Sequence, residues 1–218
     1  MGMDPYSDRQ LFGRTLKLEG ARTAVIVIDM LNDFCTNEGL LGNPAALSLC
    51  ENQNRVMDKV RASGGLVIFV NEQHREMLKP QREFGKRMTH TIEGTWGAEV
   101  VSDLTIEDAD LAVVKRRYSG FFQTDLDLIL RDRLITSVVL MGVLANICVR
   151  ATAHDAFFQG YDVVVPEDCV GSMTPSEQNS TLYDIGTHFG WVTDAAAVVN
   201  ALDSGQPLTN TVVLGVHK

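Results

Sequence analysis

The sequence predicts an α/β fold of three layers, in which helices cover both faces of a mostly parallel six-stranded sheet. Short aliphatic and β-branched runs alternate along the chain with segments whose apolar residues recur at helical spacing. The short runs lack polar alternation, which is typical of strands buried on both faces. An alternation of strand and helix implies right-handed crossovers and parallel strands. The predicted strands are Thr23–Asp29, Leu66–Asn71, Leu111–Lys115, Val138–Met141, Tyr161–Pro166 and Gly190–Thr193.

Start and stop signals define the helices between these strands. Asn and Thr are good N-cap residues, Pro suits the first helical turn, and Gly commonly ends a helix. The predicted helices cover residues 43–62, 124–133, 146–160, 176–188 and 194–202. Residues 72–97 are polar and irregular, so they are predicted to form a long loop of the kind that often covers a site.

Length and composition predict one domain. A chain of 218 residues with 45% hydrophobic residues can bury one substantial core. We assign residues 1–22 to an N-terminal arm, 23–202 to the domain and 203–218 to a C-terminal tail. The tail's VVL stretch is a candidate for a subunit contact.

The net charge of −9 and the lack of a Lys/Arg cluster argue against nucleic acid or an anionic membrane as the main partner. They favour a small polar substrate. No apolar stretch approaches the roughly 20 residues of a membrane span, and the N-terminus has no signal-peptide core, so we expect a cytoplasmic protein. The four cysteines show no CxxC spacing, which predicts neither a disulfide framework nor a zinc site. We interpret the three cysteines other than Cys148 as structural, although Cys35 lies close enough to Asp29 in sequence to approach a pocket.

Three predicted strands deliver chemically active groups to one edge of the sheet. Asp29 ends the first strand, Lys115 ends the third, and Cys148 follows the fourth in the first turn of a helix. Open α/β sheets bind ligands at the carboxyl ends of their strands. The free amides and dipole of a helix N-terminus favour a thiolate and can stabilise an oxyanion. Taken singly, each residue could equally be a cap, a solvated charge or a small packed hydrophobe.

The motifs around these residues resemble those of the isochorismatase-like cysteine hydrolases. They are AVIVIDMLNDF (24–34), VVKRRYSGFFQTDLDLIL (113–130) and GVLANICVRATAHDAFFQGYDVVVPED (142–168), within a similarity that runs from about residue 23 to 202. The resemblance implies this family's hydrolase fold, a homo-oligomer (dimer or tetramer), and a catalytic triad of Asp29, Lys115 and Cys148. It also implies a non-proline cis peptide between Val143 and Leu144. That bond would aim the Leu144 amide, with the Cys148 amide, at an oxyanion.

The same resemblance suggests a reaction. KRRYSGFFQTDLDLILRDR (115–133) and FGWVTD (189–194) are most similar to members that act on ureidoacrylate, biuret or N-carbamoyl compounds. Our hypothesis is that Asp29 takes the thiol proton, Lys115 keeps the acid ionised and favours the thiolate, and Cys148 attacks an amide carbonyl. A thioester forms and is hydrolysed, ammonia is released, and no cofactor is required.

Several residues are candidates for substrate contacts. Phe34 and Trp96 lie on loops expected near the sheet edge, where aromatic side chains would exclude water. Arg117 and Tyr118 follow the lysine and could also meet the substrate. An amide-rich substrate would need neutral partners, and a carboxylate would suit a guanidinium. The neutral candidates are Asn71, Gln73 and Gln178, and the cationic ones are Arg75, Arg116 and Arg117.

Four alternatives stay open. Nicotinamidases of this family hold a divalent ion through an Asp-x-His pair after the first strand and a histidine after the second, of which this sequence keeps only His74, so we expect no metal. Isochorismatases proper cleave a vinyl ether without needing the cysteine, but Cys148 is present in its full motif. A purely binding role is disfavoured because Asp29 and Lys115 are both retained. A redox role lacks a resolving cysteine near in sequence.

Overall fold

A computed structural model describes residues 15–78 and 86–212 of the chain. The six predicted strands are confirmed, with ends that differ by at most two residues. The strands are β1 (Thr15–Leu16), β2 (Thr23–Ile28), β3 (Leu66–Glu72), β4 (Leu111–Lys115), β5 (Ser137–Val143), β6 (Asp162–Pro166), β7 (Val170–Gly171), β8 (Trp191–Thr193) and β9 (Leu208–Thr209).

The central sheet is parallel, in the order β4-β3-β2-β5-β6-β8. The two-residue strand β7 pairs with β5 and makes it a seven-stranded sheet. Strands β1 and β9 pair antiparallel outside this sheet, so the described parts of the predicted arm and tail meet each other. The first 14 residues of that arm and the tail's Val213 and Leu214 lie outside the described residues.

Five of the described α-helices lie where the sequence predicts them, although two of these begin differently, and a short helix after β2 was not predicted. The α-helices are α1 (Asn32–Cys35), α2 (Cys50–Ala62), α3 (Leu126–Asp132), α4 (Arg150–Phe158), α5 (Pro175–Asp184) and α6 (Ala195–Ser204). A 3₁₀ helix, Pro44–Leu49, precedes α2, and a π-helix, Ala145–Val149, precedes α4. The prediction that Asn146 caps this helix is wrong, because Asn146 lies inside the π-helix and accepts a hydrogen bond from Ser172. Leu144 holds the N-cap position of the π-helix, and Val149 holds that of α4. None of the described helices is long and apolar enough to cross a membrane.

The sheet separates two apolar layers, as predicted for a three-layer fold. Alternate residues of β2 and β3 point to opposite faces, so that Ile26 and Ile68 join one layer and Val25 and Val67 the other. Helices α3, α4 and α5 cover the first face, while α2 and α6 cover the second. All six residues of β2 are therefore buried.

A glycine allows the two central strands to approach closely at their carboxyl ends. Gly142 of β5 lies opposite Ile28 of β2 and has φ 116°, a conformation that side chains rarely adopt. A Cβ atom there would lie 2.0 Å from the Ile28 carbonyl oxygen. This close approach brings the residue after β2, Asp29, next to the segment that carries Cys148.

Candidate active site

Asp29 lies at the point where β2 leaves the sheet. Its φ of 54° turns the chain sharply, an unusual conformation for a residue with a side chain. Its Oδ1 accepts a hydrogen bond from the Glu72 amide at 2.7 Å, and its Oδ2 lies 2.8 Å from the Lys115 Nζ. Both Asp29 and Lys115 are 0% exposed, so this ion pair is fully enclosed.

Lys115 connects the carboxylate to the thiol. Besides Asp29, its Nζ contacts the Cys148 Sγ at 3.5 Å and the Arg117 carbonyl oxygen at 3.3 Å. An ammonium has three protons to donate, and the three neighbours give each of them an acceptor. The tips of β2, β4 and β5 thus bring together the three residues that the sequence singled out.

Thr152 links the helix of the thiol to the loop after the lysine. Its Oγ1 donates to the Cys148 carbonyl oxygen at 2.8 Å and accepts from the Gly120 amide at 3.0 Å. The peptide bond between Val143 and Leu144 is cis, as the family resemblance implies. Cys148 therefore follows the turn that ends β5 and is held against the segment beyond β4.

Burial changes the expected protonation of the site. It raises the pKa of the Cys148 thiol well above its ordinary value, and the positive Lys115 opposes this only in part. Burial therefore favours the thiol, whereas the helix terminus and Lys115 favour the thiolate. Burial also raises the pKa of Asp29, against the influence of Lys115. Burial alone would lower the pKa of Lys115, but Asp29, Cys148 and Glu72 together raise it.

A cavity of about 470 Å³ opens above these residues. Its floor is formed by Asp29, Glu72 and Cys148, together with the cis-linked Val143 and Leu144. The other side chains of its wall are mostly apolar and enclose a space suited to a small molecule. They are Phe34, Leu40, Leu41, Arg87, His90, Tyr118, Ile147 and Met173.

The cavity includes some of the predicted substrate-contacting residues. Phe34 and Tyr118 line it, whereas Trp96 does not and is 49% exposed. Asn71 lies on the face of β3 opposite to Glu72, because successive strand residues point to opposite sides. Gln73 and Arg117 are also outside the cavity wall.

The remaining polar candidates make other contacts. Gln178 donates to the Glu167 carbonyl oxygen, and Arg116 donates to the Gln73 carbonyl oxygen. Cys35 is fully buried beside Met30, away from the cavity wall, and burial raises its pKa to about 12. It therefore packs in the core and does not approach the cavity.

Sequence reasoning missed a buried cluster beside the floor. The His74 Nε2 lies 3.0 Å from one Glu72 carboxylate oxygen, and the His90 Nε2 lies 3.9 Å from the other. Burial alone would raise the pKa of Glu72, but Lys115, His74 and His90 lower it to about 2. The Glu-x-His spacing at the end of β3 could have indicated this cluster. The sequence prediction considered a ligand pair only after the first strand.

Asp33 positions two parts of the cavity wall. Its Oδ2 accepts from the Thr91 amide at 2.7 Å, next to His90, and its Oδ1 accepts from the Leu40 amide at 3.2 Å. A Cβ on Gly97 would lie 2.3 Å from the same carboxylate, so only glycine fits there. The buried carboxylate thus joins the loop after β2 to the loop before Trp96.

Replacing Asp33 by Asn is expected to destabilise this connection. An amide keeps the shape but turns an NH₂ group toward one of the two backbone donors, which costs about 1–3 kcal/mol of unfolding free energy. Urea denaturation measures that loss. The exposed Asp108→Asn variant is the matched control and should change stability by less than about 0.5 kcal/mol. Equal stability of the two variants would contradict the role given to Asp33.

The fold and site define an α/β protein in which a buried acid–lysine pair adjoins a cysteine thiol at the floor of a cavity. Residues 23–197 match the isochorismatase domain. The chain therefore belongs to the isochorismatase family and is a hydrolase of that family.

Known proteins of the family resemble the chain over most of its length. Ureidoacrylate amidohydrolase RutB of Klebsiella pneumoniae subsp. pneumoniae is 32% identical over 89% of this chain and 92% of its own. N-carbamoylsarcosine amidase of Thermoplasma acidophilum has a TM-score of 0.71 and 33% identity, covering 80% of this chain and 96% of its own. The pyrazinamidase of Pyrococcus horikoshii, in complex with zinc, has a TM-score of 0.74 and 29% identity, covering 79% of this chain and 99% of its own.

Proposed function

We propose that the protein is a cysteine-dependent amidohydrolase that cleaves a C–N bond in a small linear ureido or carbamoyl amide. The candidates are ureidoacrylate-, biuret- and N-carbamoyl-type compounds, in line with the names of two relatives. The observation that carries the proposal is the position of the Lys115 Nζ, which lies 2.8 Å from Asp29 and 3.5 Å from Cys148, two residues of the cavity floor.

The first step is proton transfer from Cys148 to Asp29. A thiol of raised pKa needs a base, and a carboxylate whose own pKa is raised by burial accepts a proton more readily. Lys115 stays charged throughout and faces whichever of the two groups is negative. The proton therefore moves between Cys148 and Asp29 while the positive charge of Lys115 stays beside both.

The second step is attack of the Cys148 sulfur on the amide or carbamoyl carbon. An S–C bond forms, the carbonyl electron pair moves to oxygen, and the Leu144 and Cys148 amides stabilise the oxyanion. Collapse breaks the C–N bond, and Asp29 gives its proton to the leaving ammonia or amine. The product on the enzyme is a thioester.

The third step is hydrolysis of that thioester. Asp29, again a carboxylate, takes a proton from water as the water attacks, and the C–S bond then breaks. The leaving thiolate recovers the proton from Asp29. The acid or carbamic acid product departs, and a carbamic acid decomposes to carbon dioxide and ammonia.

An ammonia-release assay over a panel of compounds tests this function. The panel contains ureidoacrylate, biuret, N-carbamoyl amino acids, nicotinamide and simple amides. We expect release from the ureido and carbamoyl compounds. Release from nicotinamide alone, or from no amide at all, would contradict the proposal, and the latter result would favour an isochorismatase-type vinyl ether hydrolase.

One observation favours a second candidate, a metal-assisted amidase of the nicotinamidase type. Glu72, His74 and His90 bring one carboxylate oxygen and two imidazole nitrogens within 4.8 Å of one another, a donor set that suits zinc. His90 Nδ1 lies 2.6 Å from the Met88 carbonyl oxygen, which leaves Nε2 facing the cluster. A bound ion would polarise a substrate oxygen or nitrogen beside the Cys148 sulfur.

Metal analysis separates the two candidates. Under the first proposal, the purified protein holds less than stoichiometric metal by mass spectrometry of the elements, and a chelator leaves ammonia release unchanged. The Glu72–His74 hydrogen bond supports this result, because it already joins two of the three side chains that would bind the metal. A stoichiometric divalent ion that is lost in the His90→Ala variant would support the nicotinamidase-type alternative. Assembly as a dimer or tetramer and a cytoplasmic location stay predictions.

A further inference from the structure

The cavity has a buried inner end and an exposed outer rim. At the inner end Asp29, Glu72 and Cys148 are 0%, 2% and 6% exposed. At the rim Leu40 is 55% exposed, and Arg87 is exposed as well. A small linear substrate therefore enters with one end toward the thiol and leaves its other end beside the rim.

The charges of the two ends differ. The inner end carries the carboxylates of Asp29 and Glu72 against the single ammonium of Lys115, so a substrate carboxylate would be repelled there. The rim carries the guanidinium of Arg87. Among the described residues, no ion pair or hydrogen bond engages this guanidinium. Among the residues that the structure describes, the cavity wall thus offers a guanidinium at its outer end, whereas the ammonium at its inner end is already paired with Asp29.

The arginines that the sequence suggested for this task are placed elsewhere. Arg75 and Arg116 both lie near the Glu93 carboxylate, at 3.8 Å and 3.3 Å, and neither lines the cavity. Arg117 donates to the Arg116 carbonyl oxygen and is also outside the wall. Of the arginines that the structure describes, Arg87 is therefore the one whose guanidinium lies on the cavity wall.

We propose that Arg87 is a specificity-determining residue that binds a carboxylate at the end of the substrate opposite to the scissile amide. A planar guanidinium pairs with a carboxylate through two parallel hydrogen bonds. The apolar Phe34 and Ile147 on the wall suit a short hydrocarbon segment between the two ends. This inference rests on the proposed function, and within it selects carboxylate-bearing ureido acids over the neutral biuret.

A pair of matched substrates tests the inference kinetically. N-carbamoyl-β-alanine carries the carboxylate, and N-(3-hydroxypropyl)urea replaces it with a neutral alcohol. We expect the Arg87→Gln variant to lose about 10- to 100-fold in kcat/KM for the acid, mainly through KM, and less than about threefold for the alcohol. Arg87→Lys should keep part of the preference for the acid, because lysine keeps the positive charge but cannot form the two parallel hydrogen bonds of a guanidinium.

The control variant is Arg75→Gln, which removes a positive charge beside Glu93 and outside the cavity. It should keep the wild-type preference for the acid. The inference would be overturned if Arg87→Gln kept the wild-type preference for the acid. It would also be overturned if Arg75→Gln lost as much of that preference as Arg87→Gln does. The wild-type preference should also weaken as ionic strength rises, since an exposed ion pair is screened by salt.

Binding to the Cys148→Ala variant separates this inference from the proposed function. Calorimetric titration with N-carbamoyl-β-alanine needs no turnover. If adding Arg87→Gln weakens this binding about tenfold or more, the inference is supported. That support holds even if the wild type releases no ammonia, because the missing ammonia would contradict only the proposed function. Turnover of both substrates with binding indifferent to Arg87 would overturn the inference and leave the proposed function standing.

Discussion

Cys148→Ala is expected to reduce amide hydrolysis by about 10⁴-fold or more, because no thioester can form without the sulfur. The side chain lines the cavity floor and is small, so the fold should tolerate its loss. Asp29 and Lys115 keep their ion pair in this variant, and substrate binding should persist. Ammonia release and calorimetric binding, measured on the same preparation, check both halves of the expectation.

The matched control is Cys50→Ala. Cys50 is another buried cysteine, at the start of α2 and away from the cavity wall, and burial raises its pKa to about 11. This variant should retain hydrolysis within about threefold, although it can lose some stability. Hydrolysis by Cys148→Ala at more than a tenth of the wild-type rate would contradict covalent catalysis.

Lys115→Met is expected to reduce stability and activity together. The methionine fills much of the same volume but leaves the buried carboxylates of Asp29 and Glu72 without their cation. Removing one partner of a buried ion pair costs about 3–5 kcal/mol of unfolding free energy. Activity should fall as well, because nothing then holds Asp29 ionised or stabilises the thiolate. Urea denaturation and ammonia release measure the two effects.

The stability loss in Lys115→Met should depend on pH in a definite direction. Without the ammonium, burial and Glu72 raise the pKa of Asp29 in the folded state further, because the largest opposing influence is removed. A carboxyl whose folded pKa exceeds its unfolded pKa loses stability as pH rises between the two. The deficit relative to wild type should therefore be larger at pH 8 than at pH 5.

A double variant provides the control for this explanation. Adding Asp29→Asn to Lys115→Met removes the uncompensated carboxylate and should restore part of the lost stability. Activity should not return, because the base is then absent as well. A double variant less stable than Lys115→Met alone, or a single variant as stable as wild type, would contradict the role given to the buried ion pair.

The strands were predictable because local sequence largely determines them, and the family resemblance singled out the three residues near their ends. Val25 to Ile28 can only be a buried strand, and an acid directly after such a strand must lie at the sheet edge. The start of the nucleophile's helix was not predictable in this way. Asn146 has the chemistry of a cap, but the π-helical turn and its contact with Ser172 depend on distant packing.

The protonation state of Cys148 also escaped the sequence. A helix N-terminus argues for a thiolate, whereas the desolvation that raises its pKa depends on how completely the cavity floor is enclosed. The cavity wall was missed for a similar reason. Asn71 and Glu72 are neighbours in sequence, and only the register of β3 decides which of them faces the thiol. Arg87 lies on an irregular loop, where no periodicity indicates a direction.

Acid quenching of the first turnover, followed by peptide mass spectrometry, tests the central claim most directly. The account predicts that a carbamoyl or acyl adduct appears transiently on the peptide that contains Cys148 and decays as product forms. The other three cysteines should stay unmodified. Complete consumption of substrate with an unmodified Cys148 at every quench time would contradict it.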